Sequence, residues 1–185
     1  MNTYSKWLLP LCLMVFLLPG CAKSNAIKLS YALNSTDSPC VGNVVVFRFE
    51  DKRTVTNLGK TTDNSVITSL SDVADWVGWA LFDELESAGC TAKYRTSTVM
   101  PEDDLLVTGE VLGVELNQTG VTTYKGKVSV RIMVTKGGET VHVQKYMSEV
   151  EDVVVPGYST ESDILADALR GVMLEAIPAI AAVAR

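Results

Sequence analysis

The chain has 185 residues, 47% of them hydrophobic, with 16 Lys and Arg against 22 Asp and Glu, for a net charge of −6. That length supports one domain with a proper core. The acidic balance excludes charge-driven binding to nucleic acid or to anionic lipid headgroups, which carry the same sign.

The first element is a targeting segment, residues 1–20. Lys6 is its only charged residue, Trp7 to Leu18 form a twelve-residue apolar run interrupted by Pro10, and small Gly20 stands before Cys21. Twelve apolar residues are too few to span a bilayer, which takes about 20 in a helix. The run Leu18-Pro19-Gly20-Cys21 reads as a bacterial lipoprotein signal, cleaved before Cys21, whose thiol and new amino terminus are then acylated. The alternative is an ordinary secretory signal followed by a coincidental cysteine. Three acyl chains exceed the two signals needed for stable anchoring, at about 0.8 kcal/mol per buried CH₂. Ala22, not aspartate, follows the cysteine. By the Gram-negative sorting rule this directs the protein to the outer membrane, where it is expected to face the periplasm. The covalent lipid is the only non-protein group expected; no other cofactor is implied.

Residues 21–40 read as a lipidated tether, in which Ile27, Leu29, Tyr31 and Leu33 alternate as a short edge strand would. Residues 41–185 form the domain. Val44 to Phe49 is the first core strand, and it ends in the charged turn Glu50-Asp51-Lys52-Arg53. A brief extended piece is expected at Val66-Ile67. A helix follows, capped by Ser69 or Ser71 and stopped by Gly89. Its stripe is Leu70, Val73, Val77, Leu81, Leu85 and Ala88, while Trp76 and Trp79 fall on the opposite, acidic arc. Strands are then expected over Thr91–Arg95, Leu105–Leu116, Lys127–Thr135 and Glu139–Val150, with Gly137-Gly138 as a hairpin turn. The closing helix starts at the Thr160/Asp163 capping pair and is expected to end or kink at Pro178.

Helices and strands each with one apolar face predict an α+β two-layer sandwich. Two helices pack on one face of a mostly antiparallel sheet of about five strands, in the order β-α-β-β-β-β-α. The crossover from the Val44 strand to the Thr91 strand makes these two parallel and puts Cys40 and Cys90 at the same end of the sheet. In an oxidising compartment they are then either bridged or two separate buried thiols.

Chemistry is sparse. His142 is the only histidine and lies in an alternating strand, so no two-histidine metal site exists, and no nucleophile has a motif-supported base. The reading is a protein that is not an enzyme. Two features suit binding. The turn Asp51-Lys52-Arg53 lies at the carboxyl end of a crossover unit, where Arg53 either grips an anion or is simply solvated. Trp76 and Trp79 are either exposed partner anchors or are covered by the closing helix.

Several of these segments resemble the YajG-like lipoproteins of the Gram-negative envelope: Leu18–Lys23, the Val44–Phe49 strand, Asp51-Lys52-Arg53, Asn64-Ser65-Val66-Ile67, Leu85–Gly89 and the Ile164–Ile177 helix. The resemblance implies an outer-membrane lipoprotein with no catalytic residues to carry over. The expected function is a non-enzymatic binding or adaptor protein, partnered by an unknown envelope protein or lipid. The alternative is an accessory lipoprotein of lipid or lipopolysaccharide transport or assembly. The Cys40/Cys90 pair lies outside the family pattern.

Overall fold

The computed structural model describes residues 25–33, 39–96 and 104–184. The expected signal segment and lipidation at Cys21 lie outside the described residues. Eleven elements follow in chain order: β1 (Asn25–Ile27), β2 (Asn43–Phe47), β3 (Glu50–Asp51), β4 (Gly59–Lys60), β5 (Val66–Ser69), α1 (Val73–Ser87), β6 (Thr91–Arg95), β7 (Leu105–Gln118), β8 (Thr123–Lys136), β9 (Glu139–Val153) and α2 (Glu161–Ala184).

The fold is α+β, but the sheet departs from the expected one. The main sheet has six strands in the order β6-β2-β7-β8-β9, with β3 also paired to β7. β6, β2 and β7 run parallel, whereas β7, β8 and β9 are antiparallel, so the sheet is mixed. The reason is visible in β2, where Val44, Val45, Val46 and Phe47 are all buried. A strand buried on both faces belongs between two neighbours, as in parallel sheets. The residues around Ile27 do not edge this sheet. β1 instead joins β5 and β4 in a separate three-stranded sheet, parallel to β5.

β8 and β9 follow the hairpin pattern closely. Gly137 and Gly138 both take positive φ, 58° and 84°, as a two-residue turn matching the strand twist requires. In β8, Val128, Val130, Ile132 and Val134 point into the core, and Arg131 and Met133 point the other way. β7 carries a bulge between Val111 and Gly113. The extra residue flips the alternation, so that Val107, Val111, Val114 and Leu116 all reach one core.

Both helices cover the same face. Val77, Leu81 and Leu85 of α1 meet Leu165, Leu169, Val172, Met173 and Ile177 of α2 in a single cluster over the sheet. Asp72, not Ser69 or Ser71, caps α1, its carboxylate accepting from the Asp75 N–H at 3.0 Å. Ser71 serves elsewhere, accepting from the Leu29 N–H. At α2 the Asp163 carboxylate accepts from the Thr160 N–H at 2.7 Å, half of a capping box. Pro178 does not end α2, which runs on to Ala184. Leu174, whose carbonyl loses its helical donor, lies on the exposed side of the helix, and buried Ile177, Ile180 and Ala181 hold the last turns down.

Cys40 and Cys90 are joined by a disulfide with Cα atoms 4.9 Å apart. Both precede parallel neighbours, β2 and β6, and the Cys40 N–H also donates to the Ala88 carbonyl at 2.8 Å.

Candidate functional site

The charged turn at the end of β2 is closed on itself. Arg53 directs Nε and an Nη to the two oxygens of Asp51, at 2.9 and 2.7 Å, and its other Nη to the Thr56 carbonyl. Its side chain is only 7% exposed. The Arg53 hydrogen bonds hold the Asp51 carboxyl below its usual range. Lys52 pairs with Glu50 at 2.6 Å. The turn therefore offers no free guanidinium to an anion, because the fork geometry expected for a ligand is already filled by a carboxylate two residues away.

The tryptophan pair divides. Trp76 is buried, and its indole N–H donates to the Ser30 carbonyl at 2.9 Å. It is not an exposed anchor, and the segment around Ser30, not α2, supplies that partner. Trp79 stays 47% exposed, stacked on Tyr94 at 4.1 Å between ring centroids and edge-on to Phe82 at 5.5 Å. Burial pushes the Tyr94 phenol up to about 12. His142 faces Tyr146, Nε2 to Oη 2.8 Å. Among the described residues no cluster of three metal-ligating side chains occurs.

What the sequence did not isolate is a groove on the sheet face opposite the helices, of about 600 Å³. Phe47 of β2, Leu106 of β7 and Met133 of β8 supply its apolar surface. Val45 lies beneath, packed with Phe47 and Leu106 in a small cluster separate from the main core. Around them stand Thr96, Thr108 and charged groups of both signs. Arg131 pairs with Glu110 at 2.7 Å. Arg48 turns away to Asp72 and Asp75 at the start of α1, both at 2.6 Å. The groove thus lies near the carboxyl end of the β2-α1-β6 crossover unit, close to the expected place but built from other residues. The signal that could have found it was β2 itself: four consecutive apolar residues exceed what one covered face can absorb.

Farther along the same face the character changes to a charge ladder. Glu115 of β7 lies opposite Lys127, and Lys127 opposite Glu149 of β9. Lys125 pairs with Glu149 at 2.7 Å. That half of the face is dominated by these paired charges.

No family model matches the chain, and no curated protein matches it. Similarity appears in solved structures. The crystal structure of protein XCC0632 from Xanthomonas campestris, family model DUF330, superposes with a TM-score of 0.57 at 9% identity, covering 86% of this chain and 94% of that one. A second crystal structure, of an uncharacterized protein, gives 0.52 at 14% identity over 84% and 97% of the two chains. Both likenesses concern the fold alone. Among the described residues no helix is long and apolar enough to cross a membrane.

Proposed function

We propose that this chain is a lipid-anchored lipoprotein of the YajG-like kind, held through Cys21 on the periplasmic side of the outer membrane, which acts without catalysis as a binding adaptor. The observation that supports the binding role is the uncovered sheet face, where Phe47, Leu106 and Met133 from three strands form an apolar floor. Groups of both signs surround that floor, Glu110 paired with Arg131, and Glu50 and Arg48 beside them. An apolar centre inside a polar rim suits a protein segment that offers an apolar anchor flanked by charges. Trp79, on the helix side, is a lesser candidate, since half of its ring surface is already spent on Tyr94 and Phe82.

The second reading, an accessory subunit that carries lipid or lipopolysaccharide, draws on the groove's volume, which falls within the range of small-molecule sites. Against it stands the Glu110–Arg131 pair, which an acyl chain would strip of water without replacing its hydration. A photocrosslinking side chain at Met133, already 40% exposed, separates the two in intact cells. The adaptor reading expects adducts to an envelope protein, identified by mass spectrometry. Adducts to phospholipid or lipopolysaccharide would transfer the assignment to the carrier, and adducts to neither would remove the groove from the account.

A further inference from the structure

The main sheet ends in a long open edge. β9 has β8 on one side and no strand on the other among the described residues, and it runs for 15 residues. Such an edge presents a row of backbone donors and acceptors to any strand that can match it, and folds normally blunt it with a short strand, a proline, a bulge or charged side chains. The charges of β9, Lys145, Glu149 and Glu151, are of both signs and so admit a strand that matches them. β9 contains no proline, and its one irregularity lies at its beginning, where Val141 is left out of register between Thr140 and His142.

The sequence of β9 complements itself in the antiparallel register centred on Met147. With Met147 opposite its own copy, Lys145 falls opposite Glu149, and His142 opposite Asp152, each pair occurring twice about the axis. All the outward-facing members, Val143, Lys145, Met147, Glu149 and Glu151, then stay on one face, as a two-fold axis normal to the sheet demands. Moving the axis to Tyr146 places Lys145 against Met147 and loses the charge match. Moving it to Ser148 keeps one match, Lys145 against Glu151, but carries His142 past the end of the partner strand and loses its pairing with Asp152.

Lys145 gives an independent reason. Within its own chain it lies directly opposite Arg131, a like-charge juxtaposition, and among the described residues no acidic group forms an ion pair with it. Arg131 is already committed to Glu110. Like charges facing each other across a sheet are unfavourable, and a carboxylate from a neighbouring strand relieves them. The partner's Glu149, whose Oε1 pairs with Lys125 of its own chain at 2.7 Å, would supply that carboxylate through its other oxygen.

The helix layer agrees. α2 crosses β9 where Gly171 sits over Ser148, so closely that a Cβ on Gly171 would come within 2.2 Å of the Ser148 Oγ. Ser148 is next to the proposed axis. Leu174, three positions along α2 and thus adjacent on the helix surface, is 50% exposed. Two copies joined at Met147 would bring these stretches of helix toward each other and give Leu174 an apolar neighbour.

We propose that β9 pairs antiparallel with β9 of a second copy of this chain about a two-fold axis at Met147, joining two main sheets into one continuous sheet. This surface is separate from the groove and stands whether or not the groove binds a partner.

The test uses full-length chain in intact cells. In the pairing, Met147→Cys places two thiols directly opposite, with Cα atoms about 4.5 to 5.5 Å apart, within disulfide reach. Val143→Cys puts its thiols about 27 Å apart, eight residues of strand. After mild oxidation, a non-reducing gel should show a cross-linked dimer for Met147→Cys and none for Val143→Cys or the wild type, whose cysteines are the control. Lys145→Glu and Glu149→Lys, both at exposed positions, should each reduce that product about tenfold, and combining them should restore it. A Met147→Cys chain that stays monomeric would overturn the proposal. So would equal dimer from both cysteine variants, which indicates random collision, or failure of the combined charge reversal to restore the product.

Discussion

Replacing Cys40 and Cys90 together by alanine should lower the stability of the domain by up to about 4 kcal/mol, with the fold retained. The bridge joins residues 50 apart in sequence, and cross-linking so long a loop removes much of the freedom of the unfolded chain. Both residues are buried, at 3% and 5% exposure, so reductant reaches them poorly in the native state. The junction also has backbone support, with the Thr91 N–H donating to the Gly42 carbonyl at 2.9 Å and Cys40 to Ala88. For that reason β2 and β6 should stay paired without the sulfur bond. Urea titrations of the wild type under non-reducing conditions and of the double variant check this. Equal midpoints would show that the bridge contributes nothing.

The second large effect is expected from Tyr31→Phe. Glu84 lies on α1 with no exposed surface, and the Tyr31 hydroxyl donates to its Oε1 at 2.7 Å. Taking that donor from a buried acidic group should cost about 1–3 kcal/mol. Burial, and then the bond to Glu84, push the Tyr31 phenol above its usual value. The folded state thus holds the proton more tightly than the unfolded one. The contribution is complete below about pH 10 and is lost as pH rises beyond it. Tyr31→Phe should accordingly be less stable than wild type at neutral pH but lose less on going from about pH 8 to about pH 11. Some alkaline loss should persist, because burial also raises the phenols of Tyr94, Tyr124 and Tyr146. A variant as stable as wild type at neutral pH would show that Glu84 does not need this donor.

Local patterns in the sequence carried local structure well. The alternation of β8, the Gly137-Gly138 turn and the stripe of α2 each follow from a period or a turn residue. Strand order did not follow from them, because a period of two says which face is buried and not which neighbour a strand takes. The bulge after Val111 also defeats a strict alternation, since one extra residue exchanges the two faces of β7. At the surface the sequence named residues by type, whereas their partners decide what they do. Arg53 is satisfied by Asp51 and Trp76 by Ser30. Phe47, Leu106 and Met133 are far apart in the chain, and only the β2-β7-β8 order brings them to one groove.

Everything proposed for this protein in the envelope begins at Cys21. Mass spectrometry of the amino-terminal peptide from membranes of cells making the full chain tests it most directly. The account predicts a peptide that begins at Cys21, with a diacylglyceryl thioether and an acylated amine, and Cys21→Ala chain that keeps residues 1–20 and takes up no fatty acid. Mature chain released in soluble form with an unmodified Cys21, or cleaved elsewhere, would contradict it.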